Sequence, residues 1–288
     1  MHPAPSIILF TTLSGLGFGL LAWLGLGLPP VTGWVAFVFY ALAYILAVGG
    51  LLASTFHLGH PERALKAFTQ WRSSWLSREA WAAVVSLALN GIYAAGLVFA
   101  DTRLPVIGFL GSLSAVITVF ATSMIYAQLR TVPRWNHWQT PTLFLAMALS
   151  GGALLAGQVT AALIGLLVTG ALQMWTWSDG DRRFKERGHT METATGLGPS
   201  PRLFEPPHTG TNYLLTEMVH QVGRRHALRL RMIALTLMMA APILLLIMPF
   251  SHALAGLAIV LHIAGALTAR WLFFAEAEHV VGLYYGAR

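Results

Sequence analysis

Two ionisable residues stand at the facing ends of neighbouring apolar stretches: His57, in His57-Leu-Gly-His-Pro-Glu-Arg-Ala64, and Glu79, in Ser77-Arg-Glu-Ala-Trp81. Ionisable groups at membrane depth are expensive and are functional suspects by default. Reducing a quinone takes two electrons and two protons. A histidine, whose unperturbed pKa is about 6.5, can carry a proton near neutrality. A carboxyl group in a partly apolar site can relay one. The pair therefore suits proton handling at a quinone, with Arg63 and Arg72 of the joining loop placed to hold Glu79 ionised or to bind a headgroup. Trp71, Trp75 and Trp81 crowd the same segment, either as an interfacial aromatic belt or as the flat lining of a quinone pocket.

A second aromatic loop, Thr131-Val-Pro-Arg-Trp-Asn-His-Trp-Gln-Thr-Pro141, offers Arg134 and Trp135 for contact with a partner or for anchoring in the interface. The C-terminal run Ala269-Arg-Trp-Leu-Phe-Phe-Ala-Glu-Ala-Glu-His279 offers Arg270 and Glu276 either as an ion pair at the membrane edge or for proton access. Two histidines at matching depth on facing helices would be needed to hold a haem. His57, His252 and His262 fall at three different depths, so a haem-bearing cytochrome is the weaker reading.

The elements that must position these groups follow from composition. The 288 residues are 56% hydrophobic and only 10% charged, against about 25% charged in a soluble domain. So much apolar surface needs the bilayer as its solvent. No cysteine is present, which excludes a disulfide framework, a cysteine-ligated zinc and cysteine-held iron–sulfur clusters within this chain. The net charge of +7 lies in the loops, where the positive-inside rule accounts for it without nucleic acid. The N-terminal residues lack a basic region and a credible cleavage site, and read as the first span and not as a removable signal.

About 20 apolar residues make one span, and eight candidates can be drawn, roughly 7–28, 35–56, 80–100, 105–125, 141–157, 159–177, 228–248 and 253–274. The predicted fold is an all-α bundle of eight transmembrane helices forming a single domain over residues 1–288. Gly157-Gln158 is the least marked boundary. Gly15, Gly17, Gly19, Gly151, Gly152 and Gly157 point to close helix packing. Residues of about 178–227, with Arg182, Arg183 and Lys185 near their start, read as an extramembrane loop that docks a partner. With eight spans, 17 of the 18 Lys and Arg fall on one side, which predicts cytoplasmic termini and puts His57 and Glu79 on the cytoplasmic face. A basic face built to dock an acidic partner would give the same count. A transporter would want broken helices, internal repeats and a midplane site, and none is visible.

Taken together these segments resemble the membrane anchor subunits of DMSO reductase type. The resemblance rests on His-Leu-Gly-x-Pro-x-Arg-Ala at 57–64, Ser-x-Glu at 77–79, Thr-Val-Pro-x-Trp at 131–135 with Trp138 and Thr140-Pro141, and the run from Arg270 to His279. It implies an anchor without a metal centre. Such an anchor holds an iron–sulfur subunit with four clusters and a molybdopterin catalytic subunit to the bacterial cytoplasmic membrane, and exchanges electrons with quinone. The family's quinol-site histidine falls on His57, its important carboxylate on Glu79 and its motif arginine on Arg63. The opening Met-His-Pro-Ala-Pro-Ser-Ile-Ile-Leu-Phe-Thr-Thr resembles the anchors of sulfite-oxidising enzymes facing the cytoplasm, a branch of the same family. That branch implies electrons passing from sulfite to quinone, ubiquinone being expected over menaquinone. A quinol-oxidising anchor of a DMSO reductase and an anchor without a quinone site are the alternatives.

Overall fold

The computed structural model describes residues 1–57, 60–205, 210, 212–219 and 226–285; the side chains of His57 and Pro61 lie outside the described residues. Every regular element among them is helical. In chain order these are α1 (Pro5–Gly25), α2 (Gly33–Ala53), 3₁₀ turns at Ser54–His57 and Pro61–Phe68, α3 (Trp75–Phe99), α4 (Pro105–Ala127), α5 (Gln139–Leu155) and α6 (Val159–Glu186). There follow two short helices, α7 (Met191–Thr195) and α8 (Tyr213–Met218), then α9 (Ala227–Leu235), a π turn (Thr236–Ala240), α10 (Ala241–Leu246), α11 (His252–Ala275) and a last 3₁₀ turn, Val280–Tyr285.

Among the described residues, seven helices are long and apolar enough to cross a membrane, with the stretch Ala227–Leu246 counting as one. The eighth candidate, α5, has 17 residues, about 26 Å at 1.5 Å per residue, somewhat short of a 30 Å hydrocarbon core. The outward faces carry large apolar side chains: Phe37, Val38 and Ile45 on α2, Ile164 and Leu167 on α6, Leu244 on α10 and Ile247 just after it are all exposed. Such surfaces are stable only against lipid or a partner. The chain is a multi-pass membrane protein.

The central element is α1, packed against α2, α4 and α5. Small residues permit this. A Cβ on Gly19 would lie 1.9 Å from the Ala148 carbonyl oxygen, and one on Gly152 would lie 2.3 Å from the Gly19 carbonyl carbon. Backbone therefore rests on backbone, as the glycine pattern predicts. Gly15 differs, having open space where its Cβ would be. Gly157 ends α5 with φ of +66°, a conformation that costs glycine little, and the expected break between spans falls there. Two boundaries differ from expectation. The third span begins at Trp75, so Glu79 lies inside the first turns of α3. The segment read as a loop from 178 is helical through Glu186, because α6 continues past the apolar stretch as a polar helix.

The ends of the bundle meet on one side. The N-terminal amine donates to the Ala277 carbonyl at 2.7 Å, and the Val280 N–H to the Thr131 carbonyl at 3.0 Å. The N-terminus, the α4–α5 loop and the C-terminal segment thus share one face.

Candidate functional site

The helix α3 buries one stripe, Ser77, Glu79, Ala83, Ser86, Asn90, Tyr93 and Leu97, mostly at the three- and four-residue spacing of a helix face. Glu79 is the carboxyl-bearing member and is 3% exposed. The buried face of α4 opposes it with Ser114, Thr118, Thr122 and Tyr126, each four residues after the last. There the Thr122 hydroxyl lies 2.5 Å from Glu79 Oε1 and 3.0 Å from the Thr118 carbonyl. Thr122 is Glu79's hydrogen-bond partner among the described residues. The expectation that Arg63 or Arg72 holds Glu79 ionised is not met: Arg63 lies 3.9 Å from Glu62, and Arg72 stacks its guanidinium 5.6 Å from the Trp71 ring.

Glu79 opens onto a cleft of about 820 Å³. Its polar rim includes His60, Arg63, Lys66 and Gln70 from the loop; Leu76, Val84, Leu87 and Ile125 form an apolar wall, with Tyr126 beside Glu79. The loop is pinned back over α3. Trp81 Nε1 donates to the Phe68 carbonyl at 3.0 Å and stands edge-on to the Phe68 ring. Arg78 reaches the carbonyls of Trp71 at 3.0 Å and Arg72 at 2.7 Å, so this arginine is a staple for the turn at residues 69–74. Trp71, Arg72 and Trp75 are not in the cleft lining. Trp71 is 56% exposed; Trp75 packs edge-on against Phe120 and beneath the Arg78 guanidinium. His57 closes the turn Ser54–His57, next to the cleft residues Ser54 and Thr55, but its side chain lies outside the described residues.

The second expected cluster divides. Trp135 is buried, donating from Nε1 to the Phe273 carbonyl at 2.9 Å and stacking on the Phe273 ring. Arg134 is tied to Asp181 at 2.5 Å and to Glu276 at 3.4 Å. Arg231 completes a square, 2.7 Å from Glu276 and 2.7 Å from Asp181. Glu276 therefore pairs with Arg134 and Arg231, and the expected Arg270–Glu276 pair does not form. Arg183 is also buried, against Asp179, Gln139 and the Arg134 carbonyl. Arg134, Trp135 and Arg183 are thus internal fasteners and are spent before any partner arrives. Arg182 and Lys185 remain exposed. In the same loop, burial and the Arg183 charge hold His137 below the ordinary histidine pKa.

Sequence reasoning passes over Thr122 and Tyr126, for which the four-residue repeat on α4 is the available signal. It also leaves His262 out of the site and gives Arg270 an ion pair with Glu276 or a part in proton access, although both residues are buried. His262 meets a backbone defect. Pro242 brings no N–H, so the Met238 carbonyl four residues earlier lacks its helical donor, and His262 Nδ1 lies 2.7 Å from that oxygen. A carbonyl only accepts, so Nδ1 carries the proton. This nitrogen is committed to the backbone. Among the described residues no three His, Asp or Glu side chains group as a metal site.

The model of the DMSO reductase anchor subunit (DmsC) family matches residues 3–172. The chain belongs to this family. One relative, a sulfite dehydrogenase subunit from Allochromatium vinosum, is 33% identical across 99% of each chain, in keeping with the resemblance to the sulfite dehydrogenase branch. No solved structure matches. The family match spans α1 through the first half of α6 and so contains Glu79, Thr122 and the whole cleft lining; Arg270, His262 and the charged square's Asp181, Arg231 and Glu276 lie beyond it.

Proposed function

We propose that this chain is the membrane anchor and quinone-reactive subunit of a three-subunit molybdoenzyme, passing electrons between a partner iron–sulfur subunit with four clusters and membrane quinone. The observation that carries the reading is the cleft beside Glu79: a buried carboxyl at the edge of an apolar wall, under a basic rim. A quinone has the matching shape, a polar ring with two carbonyl oxygens on an apolar tail. The tail would lie along Leu76, Val84 and Leu87, and the ring would meet Glu79 and, from the end of the preceding turn, His57. Arg63 sits at the rim, where it can orient the ring.

Each quinone reduced takes up two electrons and two protons. The electrons come from the partner; Glu79 and His57 supply the protons and regain them from the cytoplasmic side. Sulfite oxidation, in which sulfite and water give sulfate, two protons and two electrons, is the proposed source, with ubiquinone as acceptor. The relative's name and the N-terminal resemblance support that branch. A topological argument supports the orientation: a shared face for N-terminus, α4–α5 loop and C-terminal segment calls for an even number of crossings, so α5 counts as the eighth. The distribution of basic residues then favours both termini, the cleft and the catalytic partners lying in the cytoplasm of a bacterium, at its inner membrane. Exposed Arg182 and Lys185, with the loop that follows α6, are the proposed docking surface. Quinol oxidation in a DMSO reductase-type enzyme is the second reading, favoured by the family match itself.

The test is quinone-linked turnover of the purified complex with sulfite, and separately with DMSO and a quinol, for wild type, His57→Ala and Glu79→Gln. Sulfite-dependent quinone reduction, lost in both variants with assembly intact, is expected. Activity with DMSO and quinol alone overturns the branch, and full activity in both variants overturns the quinone site.

A further inference from the structure

Behind Glu79, on the far side of Thr122, lies a second and smaller cavity lined by Thr12, Thr122, Phe144, Met147, His262 and Arg270. About 20 Å³ of it is open to the centre of a water molecule, and one water needs roughly 10–15 Å³ on that measure. Two buried polar atoms of its lining residues, Arg270 Nε and Thr12 Oγ1, have no hydrogen-bond partner among the described residues. Arg270 is 4% exposed and has no carboxylate partner among the described residues. Its guanidinium lies 3.7 Å from the Phe144 ring centre, and Nη2 is 3.7 Å from the Met147 sulfur. These contacts leave Nε–H unanswered in an apolar interior, where a buried donor without a partner is destabilising.

We infer that this cavity is a binding site for one ordered water, held by Arg270 Nε and Thr12 Oγ1 and joined to Glu79 through Thr122, and that Arg270 is a positioning residue for the Glu79 carboxyl. The inference rests on the quinone-site reading of Glu79. The chain of donors runs one way. Arg270 Nε–H points at the water oxygen, the water donates to Thr122 Oγ1, and the Thr122 hydroxyl donates to Glu79 Oε1. The guanidinium keeps its proton and can only donate, so it fixes the direction of the whole chain. When Glu79 gives its proton to a quinone oxygen, the carboxylate left behind already faces an aligned donor. Without the water, the Thr122 hydroxyl is free to turn to the Thr118 carbonyl 3.0 Å away, and the alignment is lost. His262 has Nδ1 on the Met238 carbonyl, which leaves its Nε2 as an acceptor on the same cavity wall.

Infrared spectra of the full-length chain in nanodiscs, recorded in ordinary and in ¹⁸O-labelled water, test the site directly. The wild type should show a buried-water O–H stretch that moves with the oxygen isotope. Thr12→Val, of nearly the same shape, should lose it, as should Arg270→Lys, which lacks Nε–H. The Glu79 carboxyl band, identified by its loss in Glu79→Gln, should change frequency in both. In the assembled complex, Thr12→Val should lower quinone-linked kcat at least fivefold with KM for quinone unchanged. No isotope-sensitive band in the wild type, or the same band in Thr12→Val, overturns the water site. Loss of the band with wild-type kcat overturns the positioning role. Full turnover in Glu79→Gln would instead sink the quinone reading, whatever the cavity spectra show.

Discussion

A carboxyl group enclosed in a bundle must be answered by donors or expelled, and Glu79 is answered by one threonine hydroxyl. That economy suits Glu79 to the proposed proton transfer better than to fastening the bundle. Glu276 is as deeply buried but is gripped by two arginines, and such a carboxylate is fixed in place with its charge compensated. On the proposed reading, the two glutamates separate proton chemistry from structure within one chain. Replacing Glu79 by Gln keeps the shape and a hydrogen bond to Thr122 while removing the transferable proton. Quinone-linked turnover should fall about 10²–10⁴-fold, the usual worth of a proton-transfer group, with thermal stability unchanged in detergent. Thr122→Val should act in the same direction and more weakly, about tenfold, because the proton remains and only its alignment is lost. Arg63→Ala should raise KM for quinone and spare kcat, since Arg63 is at the exposed rim. Steady-state kinetics of the purified complex separate the three.

At the scale of elements, the repair between α11 and the α9–α10 stretch makes the sharpest prediction. Pro242 leaves the Met238 carbonyl without its helical donor, and His262 supplies one. His262→Ala should then cost about 1–3 kcal/mol, the penalty for orphaning a buried acceptor, and Pro242→Ala in the same chain should recover part of it by restoring the N–H. Thermal unfolding in detergent of the two single variants and the double variant measures this coupling. The C-terminal turn carries a pH dependence. The Val281 N–H donates to His279 Nδ1 at 3.0 Å, which requires that nitrogen unprotonated, and burial, then the neighbouring N-terminal charge, hold His279 below its usual pKa of 6.5. Below pH 6.5 the unfolded chain binds the proton first, so the folded state loses stability as the pH falls from there through the depressed value. Wild type should unfold more readily at pH 5.5 than at 7.5, and His279→Asn should flatten that difference. These elements also show how much the sequence discloses. Span positions were legible because apolar length and the Pro and Gly breaks are local properties. The cleft's acidic residue was legible because a charge beside an apolar run stands out. The α4 stripe of Ser, Thr and Tyr was less so, since weakly polar residues occur in spans without function. The roles of Arg134, Trp135 and Arg183 were illegible, because whether a basic residue faces a partner or another helix depends on contacts far along the chain.

Across the whole molecule, the square of Arg134, Asp181, Arg231 and Glu276 joins the α4–α5 loop, the end of α6, the middle of α9 and the residue after α11. It closes the face that carries the N-terminus and the C-terminal turn, and it connects the half of the chain holding the cleft to the half that follows α6. Each carboxylate serves two arginines, so removing one leaves two cations facing each other with a single counter-charge. Glu276 is 3% exposed, whereas Asp181 is near half exposed. The two removals should therefore differ. Glu276→Gln exposes the penalty of an uncompensated buried charge, about 3–5 kcal/mol, and should lower the unfolding temperature of the isolated chain in detergent. Asp181→Asn should cost well under that, since water can reach the arginines it leaves. Arg182→Ala and Lys185→Ala remove exposed charges that fasten nothing internal beyond Arg182's exposed pairing with its own helix. Both should leave that temperature close to that of wild type while reducing co-purification of the iron–sulfur partner. Equal losses of stability across all four variants would show the square to be no more than a surface ion-pair cluster. Full retention of the partner in the Arg182→Ala, Lys185→Ala double variant would move the docking surface away from the end of α6.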